Sequence, residues 1–168
     1  MELWDLYDKD WKPLGKTHVR GVPLKKGEYH LVVFVWVFNS AGQVLMTKRA
    51  PEKQSYPNLW EHTGGSVLAG ETSRQAIVRE LFEETGIRAE PEEFSLAESY
   101  CRTGSFCDVY FLKKDVPVSQ LTMQPGETCE AKWVTRAELE GMIARDEVAA
   151  PDVLRYYQLG EKLKKLLI

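Results

Sequence analysis

The chain is short of several features that would settle its class at once. It has no long apolar run: the longest, Leu31 to Phe38, falls well below the roughly 20 residues that a membrane-crossing helix needs. Its first ten residues, MELWDLYDKD, lack the basic start and apolar stretch of a secretory signal. There are three cysteines, Cys101, Cys107 and Cys129, with no CxxC spacing, so neither a disulfide framework nor a zinc knuckle is encoded. Free thiols in a reducing cytoplasm are the expectation. His18, His30 and His62 are scattered and show no HxxxH spacing. No repeat, low-complexity tract or Pro/Gly/Ser linker divides the sequence, which predicts one domain over residues 1–168. A net charge of −3 argues against a nucleic-acid polymer as partner.

What is present suits a packed globule, with 43% hydrophobic and 28% charged residues. Leu3 to Tyr7 alternates apolar and polar residues, predicting a hairpin that returns near Lys16 to Arg20 within an N-terminal extension over 1–28. Tyr29 to Phe38, rich in valine and aromatics, reads as a buried central strand, and Gln43 to Lys48 as its return after a Ser40-Ala41-Gly42 turn. A short strand is expected around Leu59 to Thr63, a hairpin over Phe94 to Arg102 and Phe106 to Lys113, and a strand over Glu130 to Val134. Thr135-Arg-Ala-Glu138 is a capping box opening a short helix. A last amphipathic helix is expected from about Pro151 to Leu166. This order predicts an α+β chain, a mixed β-sheet flanked by helices on both sides.

The most informative stretch is Gly65 to Ile87, GSVLAGETSRQAIVRELFEETGI. A helix starting near Thr72 or Ser73 puts Glu80, Glu83 and Glu84 on one arc, with Ile77, Val78, Leu81 and Phe82 opposite, free to pack. Like charges three or four apart destabilise a helix by about 0.2–0.5 kcal/mol per pair. A hard divalent cation reverses that sign, because it favours clustered carboxylate oxygens. Arg79, one turn before Glu83, can orient that carboxylate, and Gly86 is placed to end the helix.

Gly65, Glu71, Arg79, Glu80, Leu81, Glu83, Glu84, Gly86 and Ile87 fill every fixed position of the signature of the Nudix family, which this chain resembles from about residue 29 to 143. The resemblance implies an α/β/α sandwich and a phosphoanhydride hydrolase acting on a nucleoside diphosphate linked to another group. It implies Mg²⁺, with Mn²⁺ as substitute, held by Glu80, Glu83, Glu84 and the backbone carbonyl of Gly64. Arg79 would orient carboxylates. For the general base it leaves Glu80 and the loop residues Glu127 and Glu130, of which Glu127 fits best.

The front half, EYHLVVFVWVFNSAGQVLMTKRAPEKQSYPNLW, is similar to the branch that includes isopentenyl diphosphate isomerase. That likeness implies diphosphate contacts from Arg49, Lys53 and Arg20. The isomerase chemistry does not carry over: Gly64 stands where its catalytic cysteine would be, and only His30 remains of its metal-binding histidines. The alternatives to a hydrolase are an isomerase-like enzyme and a non-catalytic ligand sensor. Trp36, Trp60, Tyr56 and Phe106 are candidates for a stacking pocket, and the aromatic N-terminal hairpin for a homodimer contact. Which small-molecule diphosphate is taken stays open at this level.

Overall fold

The computed structural model describes all 168 residues. Its first two strands, β1 (Leu3–Tyr7) and β2 (Pro13–Val19), form a separate antiparallel hairpin. The main sheet is mixed. Strand β3 (His30–Phe38) runs at its centre, parallel to β8 (Ser105–Lys113), which pairs antiparallel with β7 (Ser95–Arg102). On the other side β3 meets β4 (Val44–Arg49) only at Phe38↔Val44, and β4 pairs with β9 (Thr128–Val134).

Beyond that single pairing β3 and β4 part company, and the chain from residue 60 to 66 fills the fork. Strand β5 (Trp60–Glu61) lines β4, whereas β6 (Gly64–Ser66) lines β3 through Val32↔Ser66 and Phe34↔Gly64. The Leu59–Thr63 expectation is met only at Trp60 and Glu61, and the glycine strand β6 was not anticipated. Two adjacent glycines carry no β signal; β6 exists because the fork leaves the β3 edge unpaired there.

Alternation along β3 divides the core. Leu31, Val33, Val35 and Val37 face one side, with Ala76, Ile77 and Leu81 of α1 (Ser73–Thr85). Trp36 and Phe38 face the other, with Leu139 and Met142 of α2 (Arg136–Ala144), Tyr156 and Leu159 of α3 (Ala150–Leu159), and Leu163 of α4 (Glu161–Lys164). Burial on both faces explains the continuous apolar run. The result is the sandwich expected from the order of elements.

Both capping boxes are formed, Thr72 with Gln75 on α1 and Thr135 with Glu138 on α2. Gly86 ends α1 at φ 74°, its N–H donating to Phe82 O. Two local expectations fail. The last helix is not continuous, because Gly160 adopts φ 48°, ψ −121° and separates α3 from α4. Phe82 does not join the core; it is exposed, and the Arg88 guanidinium lies 4.4 Å from its ring centre.

The hairpin is fastened to the body. Tyr7 N donates to Tyr29 O at 2.8 Å and Ala69 N to Leu3 O at 2.8 Å. Its aromatics pack within the chain: Trp4 stacks on His30 at 3.9 Å and Trp11 on Phe106 at 4.1 Å.

A second fastening holds the floor of the fork. His62 is fully enclosed and stacks on Trp36 at 4.3 Å; its Nδ1 meets the Asp152 carboxylate of α3, which also accepts the His62 backbone N–H at 3.1 Å. Arg155 Nη1 lies 3.6 Å from the same carboxylate. Burial works against the Asp152 charge, but His62 and Arg155 together hold its pKa below the usual range. Burial pushes that of His62 down. Asp152→Ala leaves Arg155 buried without its counter-charge and is expected to cost about 3–5 kcal/mol. Asp152→Asn should cost less, as read by urea denaturation.

Candidate active site

The fork, α1 and the hairpin enclose a polar cavity of about 220 Å³ with no hydrophobic residue in its lining. Nine of the residues singled out from the sequence for a site line it: Arg20, Arg49, Lys53, Gly64, Arg79, Glu80, Glu83, Glu84 and Glu127. They come from the hairpin end, the last residue of β4 and the connection after it, β6, α1 and the loop before β9. Glu130 does not; it pairs with Lys48 at 2.9 Å outside the cavity. None of Trp36, Trp60, Tyr56 and Phe106 reaches the cavity either. Trp36, Trp60 and Phe106 are core residues, and Tyr56 is exposed elsewhere.

Arg79 organises the acidic side. Its Nε and Nη2 donate to the two oxygens of Glu71 at 2.7 and 2.9 Å, and Nη1 to Glu80 at 2.9 Å and Glu83 at 3.2 Å. Nη2 also donates to Ser66 O at 3.0 Å. The fork of Glu71 and Arg79 is the bidentate geometry only a guanidinium provides. Burial alone would raise the Glu71 carboxyl, but Arg79 and the Leu68 N–H hold it below its usual range. Arg79 thus holds three carboxylates, not Glu83 alone.

The helix face is not uniformly wet. Glu84 is buried, 8% exposed, and its Oε2 has no hydrogen-bond partner. Burial, then the nearby Glu61 and Glu80 charges, pushes its pKa well above the usual range. Burial raises Glu80 too, with Arg79 opposing. Glu61 went unremarked in the sequence. It sits at the fork under the cavity, pairs with Arg49 at 2.7 Å, and is pushed up to about 7 by burial and Asp152. A two-residue strand gives no period from which to read it.

Gly64 and Gly65 are glycines for steric reasons. A Cβ on Gly65 would run into the Glu80 carboxylate, and one on Gly64 into the Phe34 ring. The β3–β6 ladder uses Thr63 O and the Val67 N–H, so strand alternation turns the Gly64 and Ser66 carbonyls away from β3. Ser66 O accordingly meets Arg79.

On the basic side Lys53 Nζ pairs with Glu127, Arg49 Nε donates to Ser55 O at 2.8 Å, and Arg20 pairs with Glu2 at 2.5 Å. No three acidic, histidine or cysteine side chains converge as a ready-made cage, because Arg79 takes Glu80 and Glu83. The donors nevertheless fit a hard divalent ion. They are carboxylate oxygens with no histidine or cysteine among them, and the unpartnered Glu84 oxygen is buried where a cation would satisfy it.

The family model described as NUDIX domain matches residues 28–157, and the chain belongs to the Nudix family. It is 43% identical over 148 residues to an uncharacterized Nudix hydrolase of Listeria monocytogenes, covering 88% of each chain. It is 29% identical over 147 residues to an isopentenyl-diphosphate Delta-isomerase of Paenarthrobacter aurescens, covering 82% of this chain and 78% of that one. The crystal structure of a Deinococcus radiodurans protein superposes with a TM-score of 0.74 at 28% identity, over 98% of this chain and 99% of that one.

Arg79→Ala would leave Glu71 and Glu80 without a counter-ion in a half-buried setting. A loss of about 1–3 kcal/mol is expected, and Arg79→Lys should restore only part of it. Chemical denaturation of the three proteins side by side checks this.

Proposed function

We propose that this Nudix protein hydrolyses the phosphoanhydride bond of a small organic diphosphate, such as a nucleoside diphosphate linked to another group, with Mg²⁺ or Mn²⁺ held by Glu80, Glu83, Glu84 and the Gly64 carbonyl. The observation that carries this is the composition of the cavity: an all-polar enclosure with Arg20, Arg49 and Lys53 alongside clustered glutamates. Such a lining suits a dianionic bridge and its counter-ions. The bound metal would supply charge neutralisation and an acidified water.

The chain's own groups do the rest. Arg49 and Lys53 bind phosphoryl oxygens through charge-assisted hydrogen bonds. Arg79 keeps the α1 carboxylates in register. Glu127 is the favoured base, with Glu80 as the alternative. Its Lys53 partner is a cation that an incoming diphosphate would attract, which frees the carboxylate to accept a proton from water. The exposed and buried cysteines are all unpaired, which goes with a cytoplasmic setting.

An isomerase reading is weaker despite the relatives. His30, the one histidine kept at an isomerase ligand position, lies under Trp4 outside the cavity, and burial with Arg102 drives it down to about 4.

Glu83→Gln should keep the circular dichroism spectrum and lose at least about a hundredfold in turnover, more than outer-shell changes at metal sites cost. Phosphate release from a panel of diphosphates with and without Mg²⁺ measures it; full activity in the variant, or in the absence of metal, overturns the proposal. Glu127→Gln and Glu80→Gln then separate the two bases: the variant whose single-turnover rate loses its acid limb with metal affinity intact marks the base.

A further inference from the structure

Strand β7 is an edge of the main sheet: β8 pairs with one side of it, and no strand pairs with the other. The Arg102↔Ser105 pair closes a two-residue turn, Thr103-Gly104, and such a closing pair is hydrogen-bonded. Alternation from there turns the main-chain groups of Ser99 and Cys101 away from β8, toward the open edge. Lys162 of α4 guards the near end, its Nζ donating to Ala97 O at 3.2 Å. No donor or acceptor of the chain reaches the main chain of Ser99 or Cys101 in this way, and both residues are exposed.

The side chains of this open stretch complement themselves. The register is unbroken from Glu98 to Arg102, so Glu98, Tyr100 and Arg102 share one face. Neither Glu98 nor Arg102 has an ion-pair partner within the chain. Two copies of β7 laid antiparallel about a two-fold axis at Tyr100 would set Glu98 opposite Arg102 on both sides of the axis. In that same register Ser99 of one copy faces Cys101 of the other, and these are the residues whose main-chain groups point outward. An axis at Ser99 would instead set Ala97, already held by Lys162, against Cys101. An axis at Cys101 would leave Glu98 without its counter-charge. Charge and main-chain register therefore select one arrangement.

So short a strand pairing does not hold a dimer alone, since stable interfaces bury about 1,200 Å² or more. Apolar surface beside the edge supplies the remainder. Leu154 of α3 lines a pocket with Tyr100 and Arg102, and Tyr157 lies one turn further along the helix. They are 70% and 66% exposed. The N-terminal hairpin, by contrast, commits Trp4 and Trp11 to stacking within the chain.

We propose that the β7 edge, with Leu154 and Tyr157 of α3, docks a second copy of this chain and joins the two main sheets antiparallel. None of these residues lines the polar cavity, so each copy keeps its own site whole.

Sedimentation velocity of the full chain up to about 100 µM should show a species of twice the monomer mass, because a micromolar contact is saturated there. Glu98→Arg and Arg102→Glu each set like charges opposite one another and should weaken association by about tenfold. Combined, they return opposite charges to the same places and should recover it. Cys101→Pro removes an outward N–H, leaves the β8 ladder intact and should give monomer. Circular dichroism checks that each variant is folded, and if the proline disturbs the hairpin the charge reversals decide alone. A wild-type chain that stays monomeric overturns the proposal. So does a dimer that the single reversals leave unchanged, or one that the double variant fails to recover.

Discussion

The site depends on β3 and β4 separating after Phe38↔Val44. Two strands joined by a tight turn would ordinarily stay paired along their length, and here they do not. The opening admits β5 and β6, and with them a backbone bearing two glycines that can lie against Phe34 on one side and Glu80 on the other. Without the fork, α1 would face a continuous sheet of side chains and its carboxylates would have no backbone carbonyls beside them. The separation is held from both ends: Val44 and Leu45 pair with β9, while Asp152 and Trp36 hold His62 from the opposite layer.

Arg79 resolves the electrostatic conflict that such a site creates. Several glutamates on one turn of helix, some of them buried, would repel one another, and the guanidinium touches two of them, together with Glu71 ahead of the helix and a main-chain oxygen. It leaves Glu84 out. That carboxylate is the buried group with an unanswered oxygen, so the region holds a deficit of positive charge at one defined point. On the opposite wall the cations Arg49 and Lys53 are each already paired, with Glu61 and Glu127.

Much of this was legible in the sequence because it is local. The Thr135–Glu138 capping box, the helix-ending Gly86 and the buried apolar run of β3 depend on neighbours a few positions apart, and each was read correctly. The spacing of Glu80, Glu83 and Glu84 gave one helix face for the same reason. Features that depend on distant partners were not legible. Glu84 is buried because Glu61 and Thr63 of the fork and Thr128 of β9 close over it from two other segments, and Phe82 is exposed because no element covers that side of α1. The break at Gly160 is a tertiary choice: the amphipathic pattern continues to Leu163 and Leu167, but those residues reach the core only after the chain changes direction. The His62–Asp152–Arg155 tie joins positions 90 residues apart and leaves no periodic trace.

The N-terminal hairpin lies before the residues the family model matches, yet Arg20 and Glu2 at its ends belong to the cavity wall. Part of the cavity wall is therefore lodged outside the matched stretch. Lineages could exchange the leading β1–β2 unit and alter which charges greet an arriving molecule, while the carboxylate helix and the glycine pair pass on unaltered.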